Sequence, residues 1–406
     1  MPKRGKNILL VVCIIMLAGL LWSRALLSIS MGLMLIYALY YWNKNNIGST
    51  KSMALYFKNP LLIWCCSPLI LLFTGIYQEG FTTINNQLLL TYSVYPIAGM
   101  LAIVAEKFDF TKIISQPWIH AALIALLYPI GWFILHATSV IEQYGAGQSL
   151  PVFMDNDHLR FSIFLCSALL FTLLPVNNAR YKKTSFAILL IAILFISVRT
   201  GWVLAFIIVI GYGVNFFLQH QSFKKNLPKI IIALTIIIAL FWIFPTTQQK
   251  IRYSIYDWQQ YHSKGYDATY SDNVRRAVNT AAWKAIKENS STAIGWSAIP
   301  STIHQKFSQL FNGNTTKYGW PFNQWLFWWM GSSFIGMILF TIWLLYPAWY
   351  GFQHKNPFLI IWTLAITASC LVESTLNYQY GVFLHVWPLL ACWQSYKKIS
   401  ASVCNS

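Results

Sequence analysis

The longest polar stretch of the chain begins at Thr247 and reads TQQKIRYSIYDWQQYHSKGYDATYSDNVRRAVNTAAWKAIKENSSTAIGWSAIPSTIHQKFSQLFNGNTTKYGW as far as Trp320. It carries nine Lys and Arg residues and four acidic residues, and the chain on both sides of it consists mainly of apolar runs. A single long basic insertion between apolar runs is typical of a membrane protein with one large loop outside the bilayer. We call residues 247–322 the lid.

The composition excludes a soluble globular protein. Of the 406 residues, 57% are hydrophobic and only 10% are charged, which is too few charges to cover a soluble surface. The net charge of +18 does not predict a nucleic-acid partner, because the basic residues outside the lid lie in short clusters between apolar runs. The seven cysteines fall mainly in apolar runs and none is in the lid, so we expect neither a disulfide framework nor a thiolate metal site.

Apolar runs long enough to cross a bilayer follow one another along the chain, since a helix of about 20 residues spans the hydrocarbon core. We predict twelve spans at residues 7–23, 25–42, 60–77, 88–106, 117–139, 158–176, 184–199, 200–219, 229–246, 323–349, 357–372 and 380–394. The sequence therefore predicts an all-α polytopic integral membrane protein with one large extracytoplasmic loop. Its parts are residues 1–246 with nine spans, the lid, and residues 323–406 with three spans and a cytoplasmic tail.

The distribution of basic residues predicts the orientation of these spans. With the N-terminus inside, 17 Lys and Arg residues lie in the cytoplasmic loops and tails, whereas the outer loops 78–87, 140–157 and 373–379 contain none. Cytoplasmic loops of membrane proteins collect Lys and Arg. We therefore expect both termini in the cytoplasm and the lid on the outer face.

One helix is predicted within the lid. Asp272 is placed to cap a helix that continues to about Asn289, with Arg275 and Arg276 in its first turn. The apolar residues share one face at helical spacing, and they are Val274, Ala277, Val278, Ala281, Ala282 and Ala285.

Two groups of residues near the outer ends of predicted spans could carry chemistry. Arg199 interrupts two apolar runs within Ser197-Val198-Arg199-Thr200-Gly201. It either anchors the span by reaching lipid phosphate or faces a cavity as a ligand-binding group, where Gly201 would let the backbone approach a ligand. His158 and Arg160 open the sixth span, and His158 is either a hydrogen-bonded interface residue or a base.

The order of these features resembles the O-antigen ligase and polymerase superfamily of bacterial envelope proteins. The resemblance covers the chain from the sixth span onward and rests on His158-Leu159-Arg160-Phe161-Ser162, Ser197 to Gly201, Arg275 or Arg276 through Trp283 to Ile294-Gly295-Trp296, and Pro321-Phe322-Asn323-Gln324-Trp325-Leu326 followed by Gly336. It implies a metal-independent glycosyltransferase without cofactors, in the bacterial inner membrane.

Enzymes of this family take a glycan from undecaprenyl diphosphate and pass it to a sugar hydroxyl, on lipid A-core in ligases or on another repeat unit in polymerases. The implied partners are that donor, a glycan or lipid A-core acceptor, and membrane lipids. The implied site residues are Arg199 and Arg275 in catalytic roles, and His158, Arg160, Arg276, Asn323 and Gln324 in substrate binding. Arginine suits a diphosphate leaving group because its planar fork neutralises growing charge without a metal.

Phe322 departs from the family pattern, which has a histidine there as the proposed base, and Gly331 stands where an acidic residue is often found. Three explanations stay open: His304 or His158 supplies the base, transfer proceeds by positioning and phosphate stabilisation alone, or transferase activity has been lost. A transporter or flippase for a lipid-linked saccharide and a non-catalytic assembly subunit are the alternatives from other classes. A flippase is disfavoured because acidic residues are nearly absent from the centres of the predicted spans.

Overall fold

A computed structural model describes residues 3–44, 59–105, 110–175, 179–220, 242–289 and 292–404 of the chain. No strand occurs in these ranges, and the fold is built from helices. The helices are α1 Lys3–Trp22, α2 Arg24–Lys44, α3 Pro60–Glu79, α4 Thr83–Tyr92, α5 Val94–Val104, α6 Phe110–Ala125, α7 Leu127–Gly145, α8 His158–Leu173, α9 Ala179–Ile196, α10 Arg199–His220, α11 Pro245–Lys264, α12 Ser271–Glu288, α13 Ile299–Leu310, α14 Gln324–Gln353, α15 Pro357–Val372 and α16 Gln379–Cys404, with a 3-10 helix at Thr375–Asn377.

The prediction of an all-α polytopic membrane protein is confirmed. Within the described ranges, six segments are long and apolar enough to cross a membrane: Gly5–Trp22, Arg24–Lys44, Thr83–Val104, Phe110–Gly145, Arg199–Phe216 and Gln324–Gln353. Three shorter apolar helices, Pro60–Ile76, His158–Leu173 and Pro357–Val372, coincide with further predicted spans. Helices also occur at the seventh and twelfth predicted spans, but most of the ninth, at residues 229–246, lies outside the described residues. The count of twelve therefore stays a prediction.

Two helices form the centre of the bundle. Every residue of α8 from Leu159 to Thr172 is buried, and so is every residue of α16 from Tyr380 to Ser395. By contrast, large apolar side chains such as Leu135 on α7 and Ile335 on α14 are about three-quarters exposed on the outside of the bundle, at 77% and 69%. A sequence that buries apolar residues at the centre and exposes them at the periphery is suited to a bilayer, where the surroundings are also apolar.

The lid folds into α11, α12 and α13, which lie at one end of the bundle that we call the lid face. The predicted apolar face of the lid helix is confirmed, since Ala277, Val278 and Ala281 are fully buried. The predicted cap was wrong. The helix begins at Ser271, and the carboxylate of Asp257 on α11, not that of Asp272, accepts a hydrogen bond from a first-turn amide, the N–H of Asp272, at 3.0 Å.

A buried tryptophan ties the lid to the membrane helices. The Trp296 indole is fully buried, and its Nε1 donates to the carbonyl of Leu72 on α3 at 3.1 Å. The ring lies so close to α14 that a Cβ on Gly331 would be 1.9 Å from Cε3 of the indole. The amides of Ile294 and Gly295 both donate to the carbonyl of Met330, at 2.8 and 3.2 Å. Gly331 therefore leaves the space that the lid needs to dock.

Candidate functional site

A cavity of about 360 Å³ opens at the lid face, between membrane helices and the lid. We call it the arginine cavity, and its lining residues are Arg199, Thr200 and Val203 of α10, Asp272, Arg275, Arg276 and Asn279 of α12, Phe322, and Ala368, Leu371 and Val372 of α15. The three arginines that the sequence singled out separately therefore come together in one place. The lining thus combines basic side chains with apolar ones.

The turn between α9 and α10 positions Arg199. Ser197 adopts a left-handed backbone conformation, with φ of 58°, and this ends α9 so that α10 begins at Arg199. The Ser197 hydroxyl lies 3.1 Å from that of Thr246 and 3.0 Å from that of Thr247, at the start of the lid. Gly201 lets α10 pack against α8, because a Cβ there would be 2.9 Å from the Cβ of Ser162. The expectation that Gly201 admits a ligand was therefore wrong.

Arg199 binds Asp272 through both branches of its guanidinium. Nη1 lies 2.5 Å from Oδ2 and Nη2 lies 2.5 Å from Oδ1, and Nη1 also donates to Ser254 Oγ at 3.1 Å. Burial would raise the pKa of the Asp272 carboxyl, but the hydrogen bonds and charge of Arg199 outweigh it, and that pKa lies below its usual value. Asp272 therefore stays ionised and holds the fork of Arg199 in place.

The other two arginines of the cavity have different partners. The Arg275 Nη2 lies 3.6 Å from Oε2 of Glu373, and its guanidinium carbon lies 5.3 Å from the centre of the Phe322 ring. The Arg276 guanidinium lies over the Tyr261 ring at 5.4 Å, and among the described residues it forms no ion pair. The cavity thus carries more positive than negative charge, which favours an anionic ligand.

Phe322 lies in the wall of this cavity. Its side chain is 9% exposed, and its backbone N–H donates to Oδ1 of Asn279 at 2.7 Å. A side chain at position 322 therefore faces the space beside Arg275. Phenylalanine can neither accept nor donate a proton there.

The sequence grouped Arg160 with the other arginines, but the structure places it in a different cavity. This second cavity has a volume of about 320 Å³. We call it the aromatic cavity, and its lining residues are Arg24, Gln87, Leu88, Leu90, Thr91, Arg160, Trp320, Asn377, Tyr378, Gln379 and Tyr380. The Arg160 side chain is buried, forms an ion pair with Asp157 and lies 4.0 Å from the centre of the Tyr378 ring.

Neither histidine that was considered as a base lines either cavity. His304 is exposed on α13, because the helix turns Ile303 and Phe307 inward and the adjacent position outward. His158 begins α8 close enough to Lys250 for their charges to interact, and its Nδ1 is buried without a hydrogen-bond partner. The geometry therefore does not support the prediction of His304 as catalytic, or of His158 as a base or substrate-binding residue.

Asn323 and Gln324 hold the backbone, contrary to the expectation that they bind substrate. Asn323 caps α14, with Oδ1 accepting from two first-turn amides and Nδ2 donating to the carbonyl of Leu371 at 3.0 Å. Gln324 is fully buried, donates to Oδ1 of Asn377 at 2.6 Å and accepts from the N–H of Leu376 at 3.0 Å. Both amides are used in joining α14 to the segment around the 3-10 helix.

Two acidic residues beside the arginines were missed as site residues. Asp272 was interpreted as a helix cap, and Glu373 was given no role. The Glu373 side chain is 13% exposed, and burial raises the pKa of its carboxyl although Arg275 and Arg160 oppose the shift. The one signal in the sequence for Glu373 was its position directly after an apolar run, where an acid is unusual enough to suggest a functional role. In the described part of the chain, no group of three or more His, Cys, Asp or Glu is arranged to hold a metal ion.

Comparison with known proteins gives one result for the region that contains the arginine cavity. Residues 184–341 match the family described as O-antigen ligase, and this range includes Arg199, Arg275, Arg276 and Phe322. No match is found among curated proteins. The match and the apolar helices make this a bacterial membrane protein of surface polysaccharide assembly, in a family whose members use a lipid-linked glycan donor and a polysaccharide acceptor. The arginine cavity therefore lies mainly within a region of the chain that is similar to the O-antigen ligase family.

Proposed function

We propose that this protein transfers a glycan from undecaprenyl diphosphate to a sugar acceptor at the outer face of the bacterial inner membrane. The observation that carries the proposal is the convergence of Arg199, Arg275 and Arg276, from a membrane helix and from the lid, on one cavity. The lid face is then the outer face, and both termini are cytoplasmic, as the basic loops predict.

The basic and the apolar residues of the arginine cavity suit the two parts of such a donor. A diphosphate carries several negative charges and accepts bidentate hydrogen bonds from guanidinium groups. Val203, Leu371 and Val372 form an apolar wall at helix ends, where a prenyl chain would leave the cavity toward the bilayer. Arg276 is available to an incoming phosphate without first losing an ion pair with another described residue.

In the proposed reaction, the oxygen of an acceptor hydroxyl forms a bond to the anomeric carbon of the donor sugar. The bond from that carbon to the diphosphate oxygen breaks, and its electron pair leaves with the diphosphate. The arginines stabilise the charge that develops on the leaving group, and such preorganised electrostatic stabilisation is often the largest part of catalysis. No metal or cofactor is needed for this step.

The proton of the acceptor hydroxyl requires an acceptor other than Phe322. Asp272 is a weak base, because Arg199 keeps its pKa low. Burial raises the pKa of Glu373 above its usual value, which makes its carboxylate a stronger base than that of Asp272. We assign the proton to Glu373, which, unlike the two histidines, lies beside an arginine of the arginine cavity, Arg275, although it does not line the cavity itself.

The repeat-unit polymerase is the alternative enzyme, since it uses the same donor and differs in acceptor. The phenylalanine at position 322 favours a second candidate function, a binding or assembly subunit that holds the lipid-linked glycan without transferring it. In that case the arginines would bind the diphosphate and no glycan would move.

The test is glycan transfer in membranes that contain Arg199→Ala or Arg199→Lys. We expect transfer to fall about 10²-fold or more in both, because an ammonium group cannot reproduce the guanidinium fork. The matched control is Arg252→Ala, which removes an exposed arginine of α11 that lines neither the arginine cavity nor the aromatic cavity and should transfer normally. Normal transfer by Arg199→Ala at normal membrane abundance would remove the arginine cavity from the reaction.

The glycans of a deletion strain separate the candidate reactions. Polymer that remains on its lipid carrier indicates a ligase, and single repeat units on the cell surface indicate a polymerase. An unchanged glycan profile would contradict a transferase function.

A further inference from the structure

We propose that the aromatic cavity binds an uncharged sugar unit of the acceptor. This inference rests on the proposed transfer reaction, because it assigns the second substrate a place beside the first. It assigns a role to a group of residues from α2, α4, α8, the lid, the segment before α16 and the start of α16. Most of them, but not Trp320, lie outside the range matched by the family.

Aromatic rings in this cavity offer a stacking surface. The Tyr378 side chain is 39% exposed, and Trp320 lies beside it with ring centres 5.7 Å apart. Arg160 lies over the Tyr378 ring at 4.0 Å and so fixes its position. The C–H faces of a sugar ring pack on such amphipathic rings, while its hydroxyl groups reach the polar side chains around them.

Two buried donors in the cavity wall have no hydrogen-bond partner in the described structure. They are Nε of Arg160 and Nδ2 of Asn377, and both side chains are more than nine-tenths buried. Asn377 cannot turn freely, because its Oδ1 accepts from Gln324 at 2.6 Å. A buried donor without a partner is costly, and a small shift of the neighbouring side chains on binding would let sugar hydroxyl oxygens satisfy both donors, which have almost no accessible surface before binding.

The charges around the aromatic cavity are balanced. Nη2 of Arg24 lies 3.2 Å from Oδ2 of Asp155, and Arg160 is paired with Asp157. In the arginine cavity, by contrast, positive charge is in excess. A balanced cavity with aromatic rings and amides favours an uncharged ligand over a phosphate or a uronic acid.

Glu373 lines neither cavity but interacts with one arginine of each. It lies 3.6 Å from Arg275 of the arginine cavity, and it is close enough to Arg160 of the aromatic cavity for the two charges to interact. A hydroxyl on a sugar in the aromatic cavity would therefore approach the donor past the residue that we assign as its base. This arrangement makes the ligand of the aromatic cavity the acceptor.

The experiment measures binding directly, without turnover. The probes are oligosaccharides released by mild acid from the surface glycan of the strain that carries this chain, separated by anion exchange into uncharged and acidic fractions. Saturation-transfer NMR on the full-length protein in nanodiscs should show binding of the uncharged fraction. Trp320→Ala and Tyr378→Ala should lower that affinity at least tenfold, whereas Trp349→Ala, which removes an exposed tryptophan from the opposite end of α14, should leave it unchanged.

Arg199→Ala distinguishes the two proposals, since it should abolish transfer but retain binding of the uncharged fraction. Arg160→Lys, which keeps the charge and loses Nε, should raise KM for the acceptor more than it changes kcat. The inference is overturned if the uncharged fraction fails to bind, if the acidic fraction competes with it equally, or if Trp320→Ala and Tyr378→Ala bind like the wild type. Thermal unfolding of each variant shows whether a loss of binding reflects a loss of fold.

Discussion

The docking of Trp296 against two glycines makes a quantitative prediction about the lid. A Cβ at position 331 would lie 1.9 Å from Cε3 and 2.0 Å from Cζ3 of the indole. On the other side, a Cβ on Gly75 of α3 would lie 2.3 Å from Nε1 of the same ring. In Gly331→Ala the ring would have to retreat by roughly 1.5 Å to restore ordinary carbon contacts, and α3 leaves no room for this.

We expect Gly331→Ala to weaken lid docking by about 2–4 kcal/mol. Overpacking of a filled site costs about 1–3 kcal/mol, and displacement of the ring strains the hydrogen bond to Leu72, which is worth about 1 kcal/mol. A loss of 2 kcal/mol raises the fraction of molecules with an open lid about 30-fold. Limited proteolysis within the lid should therefore accelerate by at least that factor when opening is fast relative to cleavage.

Gly32→Ala on α2 is the matched control, because a Cβ there has nothing within 4 Å. It should leave proteolysis of the lid unchanged, and it should stabilise α2 slightly through helix propensity. Trp296→Phe in the Gly331→Ala background should recover part of the docking energy, since the smaller ring relieves the contact. Equal proteolysis rates for Gly331→Ala and Gly32→Ala would refute the role of this contact.

Two further predictions concern titratable groups of the lid face. Glu373→Gln should lower kcat about 10²-fold with unchanged thermal stability. Phe322→His in that background should recover at least tenfold of the lost kcat, because it places a proton acceptor beside Arg275. No recovery, or an equal loss of kcat in the exposed control Glu142→Gln, would contradict the assignment of Glu373 as the base. Burial, aided by the charge of Arg199, lowers the pKa of Lys250 to about 8 from its ordinary value of 10.5. Between these two pH values the unfolded chain binds more protons than the folded protein. The free energy of unfolding therefore rises as the pH increases through this window. The stability advantage of Lys250→Met over the wild type should therefore be largest below pH 8, on the order of 3 kcal/mol, and should shrink toward pH 10. Thermal unfolding of both proteins at pH 7 and pH 9.5 measures this advantage. An advantage independent of pH would refute the lowered pKa of Lys250.

The sequence predicted the parts of the fold that depend on local pattern. The apolar face of α12 follows from helical spacing, and the gathering of Arg199 with Arg275 follows from two positions on the same side of the membrane. The cap of α12 by Asp257 and the contact between Trp296 and Gly331 could not be predicted, because each joins elements whose relative position depends on packing. The roles of Asn323 and Gln324 could not be predicted for the same reason. The neighbouring sequence does not distinguish a side-chain amide that binds the backbone from one that binds a ligand.

The different charges of the two cavities explain how the protein would discriminate between the diphosphate donor and the sugar acceptor. In the arginine cavity, Asp272 occupies the fork of Arg199 with the two-oxygen geometry that a phosphate would use. A diphosphate that binds there must share or replace that carboxylate, whereas Arg276 faces no such competition among the described residues. A neutral sugar has no charge with which to displace Asp272, so the arginine cavity discriminates against the acceptor. The paired arginines of the aromatic cavity in turn give a diphosphate little net attraction. Under the proposed function, Glu373 is the acid that interacts with an arginine of each cavity, and this places it near both ligands.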